Sequence, residues 1–213
     1  MNTSLSSYVL IILFTITTQS IFFTTITSVA EVVVKDATGK KVLDNVGYGL
    51  GLVASGGRIK LTNTDNKKKI CPLNVVHDPN DNKGGVFMFT MVGYEKYLKT
   101  SRVLGIDSGD SKTGCTKSTF WTINDAEAKA PGNLITTGGR FEDENTCFQV
   151  VEYPKPTNPK VPSYMIQHCP EHCESGSGLG TCFNVSIYEH NGVKRLSSVG
   201  TTPFEFVFYK LST

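Results

Sequence analysis

Short apolar stretches recur along the chain from residue 31 onwards, and segments rich in Gly, Asp, Asn and Pro separate them. The stretches contain many β-branched and aromatic residues, which is typical of β-strands bounded by turns. No segment has a sustained apolar period of 3.6 residues, so little or no helix is expected and the chain is predicted to be all-β. The clearest predicted strands lie at 31–34, 49–53, 86–89, 103–106, 120–123, 148–153, 164–167, 185–188 and 204–208.

Two of these segments are similar to each other. Val32–Leu43 lines up without a gap on Val185–Leu196, and each has a strand, an acidic residue, a turn ending in Gly, and then a basic residue and Leu. Two unrelated hairpins with the same turn chemistry would also give this match. Interpreted as an internal repeat, it divides residues 31–213 into three units of about 61 residues, each with room for four short strands. This predicts a closed structure of twelve strands with threefold pseudosymmetry and no exposed sheet edge.

The first thirty residues have a different composition. They contain no Asp, Glu, Lys or Arg, they carry the apolar run Tyr8–Phe14, and they end in the small residues Ser28, Val29 and Ala30. This pattern predicts a secretory signal peptide over residues 1–30, although no basic residue precedes the apolar run. A membrane anchor is the alternative, but a spanning helix needs about 20 predominantly apolar residues, and twelve Ser and Thr interrupt this segment. We therefore expect secretion, and a single domain over residues 31–213.

Composition and charge exclude several classes of function. With 39% hydrophobic residues the chain can form a core, and disorder is not expected. The 21 basic and 19 acidic residues give a net charge of only +2, spread evenly, which argues against nucleic acid as a partner. No motif brings a His together with an acid and a nucleophile, so neither an enzyme nor a bound cofactor is expected. A monomer without membrane contact is expected.

Six cysteines lie after the proposed signal, at Cys71, Cys115, Cys147, Cys169, Cys173 and Cys182. An even number in a secreted chain indicates disulfide bonds, and six cysteines allow 15 pairings, so spacing alone leaves the pairing open. The segment His168–Cys173 contains two His and two Cys and could instead hold zinc. Its spacing is not that of a zinc finger, and an oxidising compartment favours disulfides, so no metal site is expected.

Two further segments bear on the surface. The sequon Asn184-Val185-Ser186 is a candidate glycosylation site in a secreted protein. The segment Pro154–Pro162 has four prolines in nine residues, which indicates a stiff surface connection. It is either a second contact site or a long hairpin loop.

Several short motifs follow one another along the predicted domain, spaced from residue 34 to residue 209. They are Val34–Gly39 with Tyr48–Leu50, Cys71–His77 (C-P-L-x-V-V-H), Cys115–Trp121 (C-x-x-S-T-x-W), Thr136–Gly139, Tyr164–Pro170, and Pro203–Phe206. In order and spacing they resemble the motifs of the plant Kunitz-type inhibitors, the soybean trypsin inhibitor family, which has Gln where this chain has His77. The family's fold is the β-trefoil, so the resemblance implies the same threefold architecture.

The resemblance also implies a mechanism. Family members inhibit serine proteases with an exposed, extended loop that enters the active site as a substrate would. Alignment on the flanking segments places this loop at Val92–Leu98 and the scissile bond at Tyr94–Glu95. A tyrosine suits a chymotrypsin-like apolar pocket, whereas the best-known members carry Arg or Lys at this position.

Four residues near the implied bond depart from a good inhibitor loop or offer another register. Glu95 is an unusual acid immediately after the bond, and Gly93 adds backbone freedom. Lys96 or Lys99 would present a cation to a trypsin-like pocket if the register slips. An ordinary surface loop, with its aromatic packed back on the barrel, is the alternative.

The family resemblance implies a brace for the loop and a set of disulfides. Members brace the loop with an Asn side chain, and the aligned residue here is Asp44, with Asn45 beside it. An ionised carboxylate only accepts hydrogen bonds, so either Asn45 takes the place or the brace is altered. The implied disulfides are Cys71–Cys115 and Cys169–Cys182, with Cys147 and Cys173 left as the third pair, and with Cys169 and Cys173 able to exchange partners.

Three functions are consistent with these motifs. The first is a secreted plant inhibitor of serine endopeptidases, with a target protease as its partner. The resemblance then implies the extracellular space or apoplast as its location, with the vacuole as a second destination. The second is the same fold inhibiting cysteine or aspartic proteases through another loop. The third is a non-inhibitory binding or storage protein of the miraculin-like type.

Overall fold

Thirteen antiparallel β-strands form the fold in the part of the chain that this computed structural model describes, which is residues 31–63, 71–93, 95–109, 118–124, 133–175, 180–190 and 192–211. One 3-10 turn, Glu144–Thr146, and one short helix, α1 (Pro170–Ser175), accompany the strands. Over the same ranges, no helix combines the length and the apolar character needed to cross a membrane. The strands are β1 (Gly47–Leu52), β2 (Arg58–Thr62), β3 (Asn74–Asp78), β4 (Phe87–Met91), β5 (Leu104–Asp107), β6 (Phe120–Asn124), β7 (Leu134–Gly139), β8 (Phe148–Glu152), β9 (Tyr164–His168), β10 (Phe183–Asn184), β11 (Ser186–His190), β12 (Val193–Ser197) and β13 (Phe206–Lys210).

Six of the strands form a closed barrel. β1 pairs with β4, β4 with β5, β5 with β8, β8 with β9, and β9 with β13. β13 then pairs with β1 from Tyr48↔Lys210 to Leu52↔Phe206, which completes the ring. The barrel therefore has no free edge at which another chain could add a strand.

Three hairpins cover one end of this barrel. They are β2–β3, β6–β7 and β11–β12, and β3, β7 and β12 pair with one another. Each third of the fold thus consists of a barrel strand, a hairpin and a second barrel strand. β10 and β11 are separated only by Val185, whose amide donates to the carbonyl of Ile166 at 2.9 Å. Counted as one strand, they give the twelve strands and threefold pseudosymmetry that the sequence predicts, so the β-trefoil is confirmed.

The similarity between Val32–Leu43 and Val185–Leu196 does not arise from the threefold repeat, and that interpretation is wrong. Val185–Leu196 includes the cap hairpin β11–β12, whose equivalent in the first third is β2–β3. Val32–Leu43 instead lies before β1, as a hairpin with the bridge Lys35↔Lys41. Gly39 and Gly192 both have positive φ, at 81° and 75°, so the two turns need Gly for the same local reason.

Aromatic rings fill the barrel. Phe208 is fully buried, and its ring lies 5.0 Å from that of Phe89 and 5.9 Å from that of Tyr48, in edge-on arrangements. Trp121 packs edge-on against Phe87 at 5.1 Å. Such pairs stabilise by about 0.5–1.5 kcal/mol beyond their burial. The packing of Phe87 and Phe89 fixes β4, and β4 leads directly into the predicted inhibitory loop.

Two disulfides attach the region of α1 to the barrel. They join Cys169 to Cys182, which is a pair that the family resemblance implies, and Cys147 to Cys173, which is the pair left over. Cys71 is also disulfide-bonded. Its implied partner, Cys115, lies outside the described residues.

The segment considered for zinc is occupied by these disulfides. Ligand atoms of Cys169, His172 and Cys182 lie within 4.8 Å of one another, but the two sulfurs are bonded to each other and offer no thiolates. Nε2 of His172 lies 3.1 Å from the carbonyl oxygen of Gly180, and Nε2 of His168 lies 3.1 Å from that of Glu144. The histidines therefore take part in backbone hydrogen bonds.

The proline-rich segment Pro154–Pro162 connects β8 to β9 as a long hairpin loop. The buried carboxylate of Glu205 anchors it, by accepting from the Thr157 amide at 3.0 Å and from the Ser163 hydroxyl at 2.6 Å. The hydrogen bonds to this buried carboxylate thus add to the stiffness that the prolines predict.

Candidate reactive loop

The predicted inhibitory loop, Val92–Leu98, connects β4 to β5 and is anchored by buried residues on both sides. Met91 is 2% exposed and Leu98 is fully buried, whereas Val92 is 41% exposed and Lys96 is exposed. Tyr94 lies outside the described residues. The loop therefore leaves and re-enters the protein at fixed points seven residues apart.

Leu98 is held by a closed ring of three backbone hydrogen bonds. The Val34 amide donates to the carbonyl of Leu98 at 2.8 Å, the Leu98 amide donates to that of Val42 at 3.0 Å, and the Val42 amide donates to that of Val34 at 2.9 Å. All three side chains are fully buried. The hairpin before β1, which lies outside the threefold repeat, thus holds the second arm of the loop in place.

Asp44 connects the two arms of the loop. Its Oδ1 accepts from the amide of Met91 at 3.0 Å, and its own amide donates to the carbonyl of Lys96 at 3.2 Å. Burial raises the pKa of Asp44, and the hydrogen bond from Met91 offsets part of this effect. One residue therefore holds the backbone on both sides of the implied Tyr94–Glu95 bond.

Asn45 does not take over this role. Its Oδ1 lies 3.4 Å from the hydroxyl of Thr90, and its amide donates to the carbonyl of Phe89 at 2.9 Å, so its contacts are with β4. Its φ of 53° is in the left-handed region, which Asn tolerates better than most residues. Of the two possibilities left open by the sequence, the altered brace through Asp44 is the one present.

Glu95 is paired with a lysine of the same loop. Nζ of Lys99 donates to Oε1 of Glu95 at 2.9 Å and lies 3.8 Å from a carboxylate oxygen of Glu31. Arg102 contacts Glu31 at 3.5 Å. The hydrogen bond from Lys99 lowers the pKa of Glu95, so this side chain is an anion held in place near neutral pH. Lys99 is accordingly engaged by carboxylates and is a poor candidate for the residue that enters a protease pocket.

Gly93 has a φ of 97°, which L-amino acids rarely adopt, and open space surrounds the position where a Cβ would be. The glycine therefore serves a specific backbone conformation rather than loose packing. Beside it, the amide of Val92 donates to the carbonyl of Val103 at 3.2 Å, which keeps the two strands of the hairpin together just before the loop opens.

The sequence did not single out three residues of this site, which are Tyr97, Leu98 and Lys41. Tyr97 is half-buried, with Nζ of Lys41 4.8 Å and Nζ of Lys96 5.3 Å from its ring centroid. Leu98, named only as the end of the loop, is its buried anchor. The apolar Leu98 in a polar stretch was a usable signal for burial, but nothing in the sequence indicates that residue 41 lies beside residue 97.

The candidate glycosylation site lies away from this loop, on β10. Oδ1 of Asn184 accepts from Nε2 of Gln167 at 2.9 Å, and Oε1 of Gln167 accepts from Nε2 of Gln149 at 2.7 Å. The three amides form a ladder across β8, β9 and β10. This fixes the orientation of the Asn184 amide.

Comparison with known proteins agrees with the fold. The sequence model of the Kunitz legume family, described as trypsin and protease inhibitor, matches residues 34–210. A latex serine proteinase inhibitor of Carica papaya is 30% identical over 198 residues, which cover 85% of this chain and 98% of the relative.

Two solved structures illustrate the likeness in fold. The Kunitz-type cysteine protease inhibitor PCPI-3 from potato aligns with a TM-score of 0.70 and 22% identity, over 86% of this chain and 100% of that one. The trypsin inhibitor from soybean aligns with a TM-score of 0.66 and 19% identity, over 85% and 100%. At these identities the two structures support the β-trefoil alone. Together with the family match over residues 34–210, they lead to one conclusion: the chain belongs to the Kunitz legume family of trypsin and protease inhibitors, whose members are inhibitors rather than enzymes.

Proposed function

We propose that this protein inhibits serine endopeptidases by inserting the loop Val92–Leu98 into the active site as a substrate would, with Tyr94 in the specificity pocket. The observation that carries the proposal is the double attachment of the loop to Asp44, on Met91 before the implied scissile bond and on Lys96 after it. The relative from Carica papaya, which is named a serine proteinase inhibitor, supports the same target class.

A loop attached in this way has two properties of an inhibitor. Its backbone is ordered before binding, so little conformational entropy is lost on association. If the enzyme's serine cleaves the bond, the new ends stay attached through Met91 and Lys96 to the same residue. They remain in place for rejoining, and product release is slow.

The expected specificity is chymotrypsin-like. An aromatic side chain at the position before the bond fits an apolar pocket, whereas a trypsin-like pocket contains an aspartate that needs a cation. Lys99 is paired with Glu95 and Glu31. Lys96 lies two residues beyond the position that precedes the implied bond, so Tyr94 is the residue that we expect in the specificity pocket.

The test is a titration of disulfide-intact residues 31–213 against chymotrypsin, trypsin, subtilisin and papain, with residual activity as the readout. We expect stoichiometric loss of chymotrypsin activity. Tyr94→Asp should abolish this loss, and Tyr94→Arg should transfer inhibition to trypsin. Tyr188→Asp, at an exposed tyrosine on β11 of the cap, is the matched control and should inhibit as wild type does.

Other outcomes would contradict the proposal in distinct ways. Inhibition of chymotrypsin that survives Tyr94→Asp would place the contact on another loop. Inhibition of papain alone would favour a cysteine protease as the target. Full activity of all four enzymes would favour a non-inhibitory binding protein.

We also propose that the protein is secreted and acts as a monomer after removal of residues 1–30. The disulfides within residues 31–213 support an oxidising compartment. Expression of the full chain in a plant secretory system should yield protein in the medium whose N-terminal residue is Glu31. A mature N-terminus upstream of residue 31, or retention of the chain in membranes, would contradict the proposal.

A further inference from the structure

The second arm of the loop and the hairpin before β1 together form an exposed cluster that we call the cationic ridge, consisting of Lys41, Lys96 and Tyr97. The ammonium of Lys41 lies 4.8 Å from the centroid of the Tyr97 ring, and that of Lys96 lies 5.3 Å from it. Both lysines are exposed, and Tyr97 is half-buried. One aromatic ring thus supports two cations from different segments of the chain.

The backbone directs the ridge away from the core. The Leu98 amide donates to the carbonyl of Val42, and Leu43 forms a β-bridge with Tyr97, so the two segments run antiparallel. Side chains alternate along such a pair. Because Val42 and Leu98 are fully buried, the neighbouring Lys41 and Tyr97 face outward.

The charge of the ridge is not compensated within the described part of the chain. The carboxylates of Glu95 and Glu31 pair with Lys99, and that of Asp44 accepts the amide of Met91. In the described ranges the ion pairs shorter than 4.0 Å involve the cations of Lys60, Lys99 and Arg102, and neither Lys41 nor Lys96 takes part in one. Of these three lysines, Lys99 is therefore paired with carboxylates, whereas Lys41 and Lys96 are presented to solvent.

We propose that the cationic ridge is a second contact surface for the target protease, and that it fits an enzyme with carboxylates on the rim of its active site. This inference rests on the proposed function and adds a preference among enzymes. If Tyr94–Glu95 is the bond presented, Lys96 and Tyr97 follow it by two and three residues. They then occupy the side of the cleft that binds the leaving group, and Lys41 widens the contact beyond the loop.

The ridge acts mainly on the rate of association. Opposite charges on two surfaces accelerate encounter, and this acceleration decreases steeply as salt screens it. The cations are already positioned by the aromatic ring, so ordering them on binding costs little. The preference should therefore appear as a faster association with an anionic protease than with a cationic one.

The test compares two double variants with the same change in charge. Lys41→Glu with Lys96→Glu reverses the ridge, and Lys155→Glu with Lys160→Glu reverses two exposed lysines of the proline-rich loop. Association rates are measured from inhibition progress curves against an anionic and a cationic chymotrypsin isoform, at low and high salt. Thermal melts establish that both variants are folded.

We expect the ridge variant to associate about tenfold more slowly with the anionic isoform at low salt, with most of the difference lost at high salt. The control variant should change by less than about twofold, because its charges lie on a different loop. Lys41→Gln with Lys96→Gln should give an intermediate rate. An intermediate association rate would show that the rate depends on the charge of the two side chains and not only on the shape of the residue at position 96.

Three results would overturn the inference. Equal slowing by the two Glu variants would show that net charge alone matters. An unchanged rate for the ridge variant, in a protein that inhibits, would reject the ridge while leaving the proposed function intact. A wild-type protein that inhibits neither isoform at either salt concentration would reject both proposals.

Discussion

Nζ of Lys99 donates a hydrogen bond to Oε1 of Glu95 at 2.9 Å, which joins the acid after the implied scissile bond to the end of the same loop arm. From the sequence, Glu95 is an obstacle to inhibition because a free carboxylate next to the bond is unusual. The pair removes part of this obstacle, since the carboxylate is held and its charge is balanced locally. Exposed pairs contribute little to stability, so we attribute to this one the placement of Glu95 rather than stability.

Replacement of Lys99 by Met should return the pKa of Glu95 towards its ordinary value of 4.5, because the hydrogen bond from Lys99 is the main cause of its lowering. A lowered pKa gives stability that is present above the ordinary value and lost as the pH falls through the folded value. The stability of Lys99→Met should therefore no longer depend on the ionisation of Glu95 in acid. Carboxyl-detected NMR titration measures the pKa directly, and Lys96→Met is the matched control. An unchanged pKa in Lys99→Met would contradict the pairing.

Asp44→Ala should weaken inhibition by about fivefold, which corresponds to the loss of about 1 kcal/mol for one hydrogen bond. It should also speed cleavage of the loop during long incubation, because the first arm is released from the clamp. Inhibition constants and mass spectrometry of the incubated complex give the two readouts. Asn45→Gly, which keeps the left-handed backbone but removes the neighbouring side chain, should behave as wild type. Equal effects of the two variants would argue against a clamp at Asp44.

Asp44→Asn should preserve the clamp and alter only the dependence on pH. Burial raises the pKa of Asp44 above 3.8, so its contribution to stability is complete below that value and is lost as the pH rises through the raised pKa. The amide of Asn still offers an acceptor to Met91 and does not ionise. We expect Asp44→Asn to be more stable than wild type at neutral pH and no more stable in acid, in urea unfolding at several pH values. Greater destabilisation at neutral pH than in acid would contradict this.

Glu205→Ala should lower the free energy of unfolding by about 2–4 kcal/mol, since it removes a buried acceptor of several hydrogen bonds. Burial alone would raise the pKa of Glu205, but the hydrogen bonds from Ser163 and Thr157 outweigh it and the pKa is lowered. The stabilisation is therefore present above the ordinary value of 4.5 and is lost as the pH falls through the folded value. Urea unfolding at neutral pH measures the effect, and Glu152→Ala, at an exposed acid of β8, is the control. Wild-type stability of Glu205→Ala would show that the proline-rich loop does not depend on this anchor.

Asn184 should carry a glycan when the full chain is secreted by a eukaryotic host. Its Oδ1 accepts from Gln167, so Nδ2, the atom that a glycan joins, lies on the other side of the amide and the ladder survives modification. A glycosidase should reduce the intact mass of the wild type. The mass of Asn184→Gln and of Ser186→Ala should not change. A wild-type mass that the enzyme does not alter would reject the site.

The sequence predicts the architecture well because its signals are local or covalent. Turn residues mark the strand ends, and apolar stretches such as 120–123 and 204–208 fall within or beside observed strands. Some strands gave no clear signal. β2, β3, β7 and β12 interrupt their apolar residues with polar or glycine residues, and some of these polar residues are buried, such as Thr136 and Arg195. Residues 31–34 were predicted as a strand, but they pair through the isolated bridge Val33↔Lys99 and no regular strand forms.

The site was less predictable because its parts come from distant segments. Alignment with the family places the loop, but the contact of Asp44 with Met91 spans 47 positions and depends on how the hairpin before β1 is seated. The resemblance suggested an amide in this place, whereas the chain uses a side-chain acceptor and a backbone donor. The pairing of Lys99 with both Glu95 and Glu31 likewise depends on the bridge that brings Val33 beside Lys99.

The ring of barrel strands has a consequence for biosynthesis. β1 pairs with β13 along five successive residues, so the first barrel strand to leave the ribosome must wait for the last one before its edge is covered. Until β13 has been synthesised, the chain exposes the edge of β1 and the rings that surround Phe208. The barrel as a whole can therefore close only after translation, and until then the nascent chain carries an unpaired edge that favours aggregation. A truncation that removes β13 should consequently leave the chain aggregated rather than merely less stable.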